Sequence, residues 1–267
     1  MHDDAHFVFR VEPWSMITPT FMDYRPWEAS TWLWWQYVIW VVVVWGGLEV
    51  VSYLIDVIPG LFKLKQIRIR GKHLDELGPW DRGFVAFNKM STCFFAYHCV
   101  RFAWFAEHIA WELDRLTLAN TLLSLTCLFA VYDLLYHTFH RVLHMRFAYR
   151  YIHKHHHNQH APTRGNLDAV NVHPIEFLVG EYLHLLALVF IPCHVLTAVV
   201  FVMGGGILAS LNHTRHDLGL YGLWEVVAHD QHHVVPNCNY SQYTTFWDRL
   251  LGTYLPHPDS PARAKAT

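Results

Sequence analysis

Charge is scarce in this sequence. Only 16% of its 267 residues are Asp, Glu, Lys or Arg, against 53% hydrophobic residues, which excludes a disordered or acidic-tail protein and disfavours an ordinary soluble domain. The 20 Lys+Arg and 22 Asp+Glu leave a formal net charge of -2. No Arg/Lys-rich run is long enough to supply the electrostatic footprint needed for nucleic acid. Cysteine is sparse too: the five residues Cys93, Cys99, Cys127, Cys193 and Cys238 are odd in number and form no C-x-x-C. Neither a disulfide frame nor a thiolate zinc site is indicated, so a metal here has to use histidine. The first 31 residues lack a basic segment followed by a short apolar core, so they do not read as a cleaved signal peptide. There is no internal repeat and no low-complexity linker, and the chain is read as one domain over 1–267.

Long apolar runs fill the N-terminal half. The run from Trp32 to Ile58 exceeds the roughly 20 residues that cross a hydrocarbon layer. Six tryptophans, Trp27, Trp32, Trp34, Trp35, Trp40 and Trp45, crowd its N-terminal end, as in an aromatic belt at a membrane–water boundary. Lys63, Lys65, Arg68, Arg70, Lys72 and Arg82 then form a basic connector of the kind retained on the cytosolic side. Apolar stretches at Phe84 to Trp111 and Leu116 to Tyr136 can span out and back, although His98, Arg101, Glu107 and His108 are costly in lipid unless they face protein or snorkel. A second basic segment holds Arg141, Arg146, Arg150, Lys154 and Arg164. Phe177 to Leu211 reads as an apolar hairpin broken by Pro192 and by Gly204-Gly205-Gly206.

The expected fold is therefore all-α: an integral membrane bundle of about four to five transmembrane or re-entrant helices with a cytosolic, His-rich helical cap holding a dimetal centre. Its parts are an N-terminal segment at 1–31, transmembrane helices over 32–136, a histidine-box region over 137–255 that includes the hairpin at 177–211, and a flexible tail at 256–267.

Histidine is the residue in excess, 22 in all, and fourteen of them fall between His137 and His173 or between His213 and His233. His140 and His144 are an i, i+4 pair. His153, His156 and His157 form an H-x-x-H-H, and His229, His232 and His233 form a second. On a helix such spacing gathers imidazoles on one face. At this chain's own histidine frequency, two H-x-x-H-H matches by chance are expected only about 0.01 times. Neutral imidazole is a common ligand for borderline transition metals, and eight box histidines exceed the four that a structural zinc usually takes, so two metals are indicated. The carboxylate-rich soluble di-iron bundles would need two E-x-x-H motifs. Only Glu181-Tyr-Leu-His184 matches, inside an apolar span.

These motifs resemble the fatty acid hydroxylase/sterol desaturase superfamily of integral membrane non-haem di-iron enzymes. The resemblance is carried by Asp133-Leu-Leu-Tyr136 leading into His140-Arg-Val-Leu-His144, by Ile152-His153-Lys154-x-His156-His157 with Ala161-Pro162, and by His173-Pro174-Ile175-Glu176. It continues through His229-Asp230-Gln231-His232-His233, Asn239-Tyr240-Ser241 and Trp247-Asp248-Arg249-Leu-Leu-Gly252-Thr253. Where members carry H-S-G-Y, this chain reads His213-Thr-Arg-His216-Asp217.

The resemblance implies that His140, His144, His153, His156, His157, His229, His232 and His233 are metal ligands and carry the catalysis, with His173 and His213 as further ligands. It also implies two Fe ions, for which zinc can substitute on purification, with O2 as co-substrate. The substrate class would be a sterol, fatty acyl chain or sphingoid lipid, hydroxylated or desaturated. Without a cytochrome b5-like H-P-G-G in the sequence, a separate reductase or cytochrome is expected to donate electrons. Localisation follows as the endoplasmic reticulum membrane in a eukaryote or the inner membrane in a bacterium.

His137 and His160 read as neighbours of the ligands or as solvated residues, His155 points away from the ligand face, and His216 has no assigned role. Asp133, Glu176, Asp230 and Asp248 either accept the second ring N–H of a ligand histidine or pair with Arg141, Lys154 or Arg249. Two other classes share the composition: a divalent-metal transporter and a non-catalytic zinc-binding membrane protein.

Overall fold

The computed structural model describes residues 28–74, 76–218 and 224–258. Trp27, His2, most of the segment expected at 1–31 and most of the tail expected at 256–267 lie outside the described residues. The described chain is mostly helical, with four two-residue strands. Its main helices are α1 (Trp34–Leu61), α2 (Pro79–Phe105), α3 (Leu118–Leu143), α4 (Pro174–Phe190), α5 (Val195–Leu211), α6 (Val226–Val234) and α7 (Phe246–Leu250).

Helices α1 and α3 are long and apolar enough to cross a membrane. At 1.5 Å per residue, the 28 residues of α1 reach about 42 Å. Val38, Ile39, Val42, Val43, Val50 and Leu54 on α1 are exposed, a continuous apolar surface of the kind a bilayer covers. The aromatic cluster is divided: Trp34 and Trp35 are exposed, whereas Trp32 and Trp40 pack on Tyr97 of α2 and Trp40 donates to the Cys93 carbonyl at 2.7 Å. Lys89 Nζ of α2 meets Glu49 Oε1 of α1 at 2.6 Å, which pairs two charges that would otherwise be costly between apolar helices.

The expected hairpin is α4 and α5, turned at Pro192, whose missing N–H ends a helix readily. Each arm has 17 residues, about 26 Å, short of a full crossing. The glycine trio does not break α5, contrary to the sequence reading. Gly205 is instead a close-approach position: a Cβ there would lie 2.6 Å from His184 Nε2 and from Tyr243 Oη. Leu128 and Tyr132 of α3, Leu188 of α4 and Phe201 of α5 form the main buried core, joined by Tyr243.

Two short ladders close the ends. In the first, β1 (Lys65–Gln66) pairs antiparallel with β4 (His216–Asp217). In the second, β2 (Ile109–Ala110) pairs in parallel with β3 (Cys193–His194). The first ladder lays the basic connector across the histidine-bearing end of the bundle. Arg215, at φ 62°, secures it: its guanidinium donates to the carbonyls of Ile67 and Arg68 and to Asp230 on α6.

Candidate metal centre

Helix α6 is short, but every residue from Val226 to His233 is buried. Val226 and Val227 pack on Ile67 and Trp224, which fixes the helix under the connector and aims its three histidines inward. His140 occupies the last turn of α3 and His144 caps it. His153 ends a π-turn at Tyr149–His153, His156 and His157 open a 3-10 turn, and His213 follows α5 by two residues.

The structure sorts these rings into two groups. His140, His144, His153, His157 and His232 form one, and His156, His213, His229 and His233 form the other; within each, the candidate ligand nitrogens lie within 4.8 Å of one another. Each H-x-x-H-H box is therefore shared between groups rather than presented on one face. The i, i+4 pair goes to one group and the intervening i+3 ring to the other, because adjacent helical positions diverge by about 100°. In the His153–His157 box, where a π-turn gives way to a 3-10 turn, the backbone differs and the division is the same.

The hydrogen bonds around the rings decide what the groups can hold. His140 Nδ1 donates to the Tyr240 carbonyl at 2.8 Å and His232 Nδ1 to that of Cys238 at 2.6 Å. His213 Nδ1 donates to the Ala209 carbonyl at 2.8 Å and His233 Nδ1 to that of Gln159 at 2.9 Å. His153 Nδ1 donates to Glu176 Oε1 at 2.8 Å. A carbonyl only accepts, so these Nδ1 atoms carry the proton, and in a neutral imidazole Nε2 is then a lone pair. The lone pairs face inward. His140 Nε2 lies 3.0 Å from His153 Nε2, a contact that two unprotonated nitrogens cannot make as a hydrogen bond. His144 Nε2 is buried with no protein partner.

Burial first, and then the like charge of neighbouring imidazoles (His213 foremost for His156 and His229, His140 for His232, His156 for His233), holds these four rings well below the usual histidine range. The same causes lower His157 to about 2 and His144 to about 3. These rings are neutral at physiological pH. Neutral, inward-aimed imidazole nitrogens fit a borderline transition-metal cation in each group. Nitrogens sharing one ion at about 2.1 Å in neighbouring octahedral positions stand about 3.0 Å apart, and five Nε2–Nε2 contacts within the groups run from 2.9 to 3.2 Å.

His173 is the one expected ligand outside both groups. Pro174 starts α4, and His173 caps it, Nδ1 accepting the Ile175 N–H at 3.3 Å. His155 bonds Asn171 Oδ1 at 2.9 Å, His160 Nδ1 accepts from the Lys72 N–H at 3.2 Å, and His137 Nε2 meets Thr253 Oγ1 at 3.0 Å. His216 sits on β4. Of the four carboxylates considered, Glu176 meets a grouped histidine. The others hold backbone or side chains: Asp133 accepts the N–H groups of Gln242, Tyr243 and Thr244, Asp248 those of Tyr240 and Ser241, and Asp230 pairs with Arg215 and His257. Arg249 pairs with Glu225 at 3.2 Å rather than with Asp248.

Beside the second group lies a mainly apolar cavity of about 480 Å³, within the range of small-molecule sites. His156, His213 and His229 form part of its wall, and Val43, Gly47 and Val51 of α1 another part. Sequence reasoning set Glu181 and His184 aside, yet both line this cavity, and His184 Nε2 meets Tyr243 Oη at 2.7 Å. Their cost inside an apolar span was the signal available.

Comparison with known proteins matches residues 125–253 to the family described as Fatty acid hydroxylase. The chain is 33% identical over 126 residues to Delta(7)-sterol 5(6)-desaturase of Leptosphaeria maculans, a match covering 46% of this chain and 34% of that protein. It is 32% identical over 131 residues to Methylsterol monooxygenase 1 of Rattus norvegicus, covering 46% and 44%, and 32% identical over 122 residues to Cholesterol 25-hydroxylase of the same species, covering 42% and 40%. The chain thus spans between a third and a half of these relatives' lengths. No solved structure matches it.

Proposed function

We propose that the chain, whose residues 125–253 match the family described as Fatty acid hydroxylase, is an O2-dependent membrane oxidoreductase that oxidises an unactivated C–H bond of a lipid. The observation that carries this reading is the convergence of nine histidines, eight of them buried, into two groups, the second of which lines a mainly apolar cavity. The named relatives, a sterol desaturase, a methylsterol monooxygenase and a cholesterol hydroxylase, support a lipid substrate.

His140, His144, His153, His157 and His232 would hold one iron, and His156, His213, His229 and His233 the other. When bound and reduced by an external donor, the two irons supply O2 activation and removal of hydrogen from the C–H bond. The protein's own contribution is positional. Glu176 and the carbonyls of Tyr240, Cys238, Gln159 and Ala209 hold the rings in one tautomer and orientation. The apolar walls from α1, α4 and α5 exclude water and seat the lipid tail. The basic connector, tied to the histidine end by β1 and β4, supports a cytosolic orientation for that end, where a separate reductase or cytochrome would reach it.

The test is metal content and lipid-dependent O2 uptake. Purified chain binds two metals, and His156→Ala and His232→Ala each lower metal content and abolish O2 uptake with reductant and lipid present. Zinc on purification does not decide the matter, because it outcompetes Fe(II) for such ligands; reconstitution with Fe(II) does. Metal content unchanged in His156→Ala overturns the proposal. Lipid profiling of cells with and without the chain separates hydroxylation, which adds an oxygen atom, from desaturation, which removes two hydrogens.

A further inference from the structure

The polar groups on the cavity wall are mostly satisfied by one another. His184 meets Tyr243, Asn166 Nδ2 donates to Ser210 Oγ at 3.1 Å, and Glu176 accepts from His153. Glu181 is different. It faces the cavity from α4, five residues or about 7.5 Å along the helix from Glu176. Its Oε1 accepts from Thr92 Oγ1 at 2.5 Å. Its Oε2 has only a long 3.4 Å contact with Ser91 Oγ, whose single proton is better placed on the Asn88 carbonyl at 2.8 Å. No cationic side chain is within ion-pair distance of Glu181 among the described residues. A carboxyl oxygen inside an otherwise apolar cavity is thus left with acceptor capacity and room in front of it, a costly arrangement without a partner.

We propose that Glu181, braced by Thr92, receives the hydroxyl group of a lipid alcohol and so selects alcohols from other lipids of the same tail. This rests on the lipid-oxidising reading above. The electrostatics of the wall narrow the ligand class. A lipid carboxylate, itself an acceptor, would find no cation beside Glu181 to pair with its charge. A lipid ammonium would meet Lys89, which also lines the cavity and is already paired with Glu49. A neutral hydroxyl donates to Glu181 Oε2 and is opposed by neither, and its tail is left to the apolar wall. Selectivity of this kind comes from a polar group that goes unpaired when the wrong ligand binds.

The experiment uses metal-free full-length chain in phosphatidylcholine nanodiscs, with radiolabelled cholesterol, hexadecanol, the methyl ether of each, hexadecanoate and hexadecylammonium as probes. At least one alcohol should bind about tenfold or more tightly than its methyl ether, with both ionic probes weaker than the alcohol. In Glu181→Leu the alcohol-to-ether ratio should fall to near one while the ether binds as before. Glu181→Gln keeps an acceptor, so it should retain most of the ratio. Thr92→Val, which removes the brace, should lower the ratio by a smaller factor and carries the test if the leucine variant does not fold. Equal binding of alcohol and ether, preference for an ionic probe, an unchanged ratio in the variants, or no saturable binding of any probe overturns the proposal. Because binding is read without metal, its outcome is separate from O2 uptake: selective binding without uptake sinks the oxygenase reading alone.

Discussion

Replacing Glu176 should loosen the metal group that contains His153 and leave the other nearly intact. The carboxylate is buried, at 5% exposure, and its Oε1 takes the His153 Nδ1 proton at 2.8 Å, while Oε2 has no partner among the described residues. In Glu176→Ala the ring loses the acceptor that fixes its tautomer. Losses of such outer partners lower metal affinity by about 10–100-fold, or about 1.4–2.7 kcal/mol. Glu176→Gln keeps a carbonyl oxygen, and its amide nitrogen falls where Oε2 already lacks a partner, so the hydrogen bond survives and the loss should stay under about tenfold. Competition titration against a chelator of known affinity, with elemental analysis, reads both variants. At limiting metal the alanine variant should hold one metal per chain where the native chain holds two. Native affinity in Glu176→Ala refutes the tautomer argument; equal losses in both variants would show that charge, not the hydrogen bond, is what matters.

Three further outcomes follow from the geometry. Asp133→Ala strands three buried backbone N–H groups and the Thr244 hydroxyl, costing about 4 kcal/mol or more and lowering the thermal midpoint in detergent by about 10 °C; Asp133→Asn, which keeps Oδ1, should lose about half as much, and equal midpoints would refute the role. For the metal-free chain, stability should fall as pH drops below about 6.5, the unfolded histidine value. The unfolded chain takes up protons there while the buried imidazoles do not, since their folded values are lowered, to about 3 for His144 and about 2 for His157. The slope is about 1.4 kcal/mol per pH unit for each fully buried ring, and a flat profile from pH 7 to 5 counts against it. Gly205→Ala should separate His184 from Tyr243 and cost about 1–3 kcal/mol, whereas Gly206→Ala, with nothing within 4 Å of the added Cβ, should unfold at the native temperature.

The boxes were legible because one residue type, histidine, repeats at fixed intervals, and nine of the ten expected positions meet in the two groups. Their division was not legible: whether His156 or His157 faces a given group depends on backbone that leaves the α-helix at Tyr149–His153. His173 shows another limit, since a histidine before Pro174 reads alike as ligand and as helix cap. The apolar spans of α1 and α3 declared themselves by length and composition. The meaning of polar residues inside α2 and α4 did not, because Thr92 and Glu181 meet only when two helices distant in sequence pack together.

The splitting of each box has a consequence for the spacing of the two groups. His156 and His157 are neighbours in sequence and belong to different groups, as are His232 and His233. Consecutive Cα atoms are about 3.8 Å apart, so the interval between groups is spanned twice by single peptide units. It behaves as a ruler with covalent marks, one on a connecting turn and one on a buried helix. Tilting of the lipid-facing helices, a thinner bilayer or a change of detergent can reshape the cavity, but the ruler is not strained by any of them. Variation in the membrane spans should therefore alter which lipid fits while leaving the pitch of the two groups unchanged.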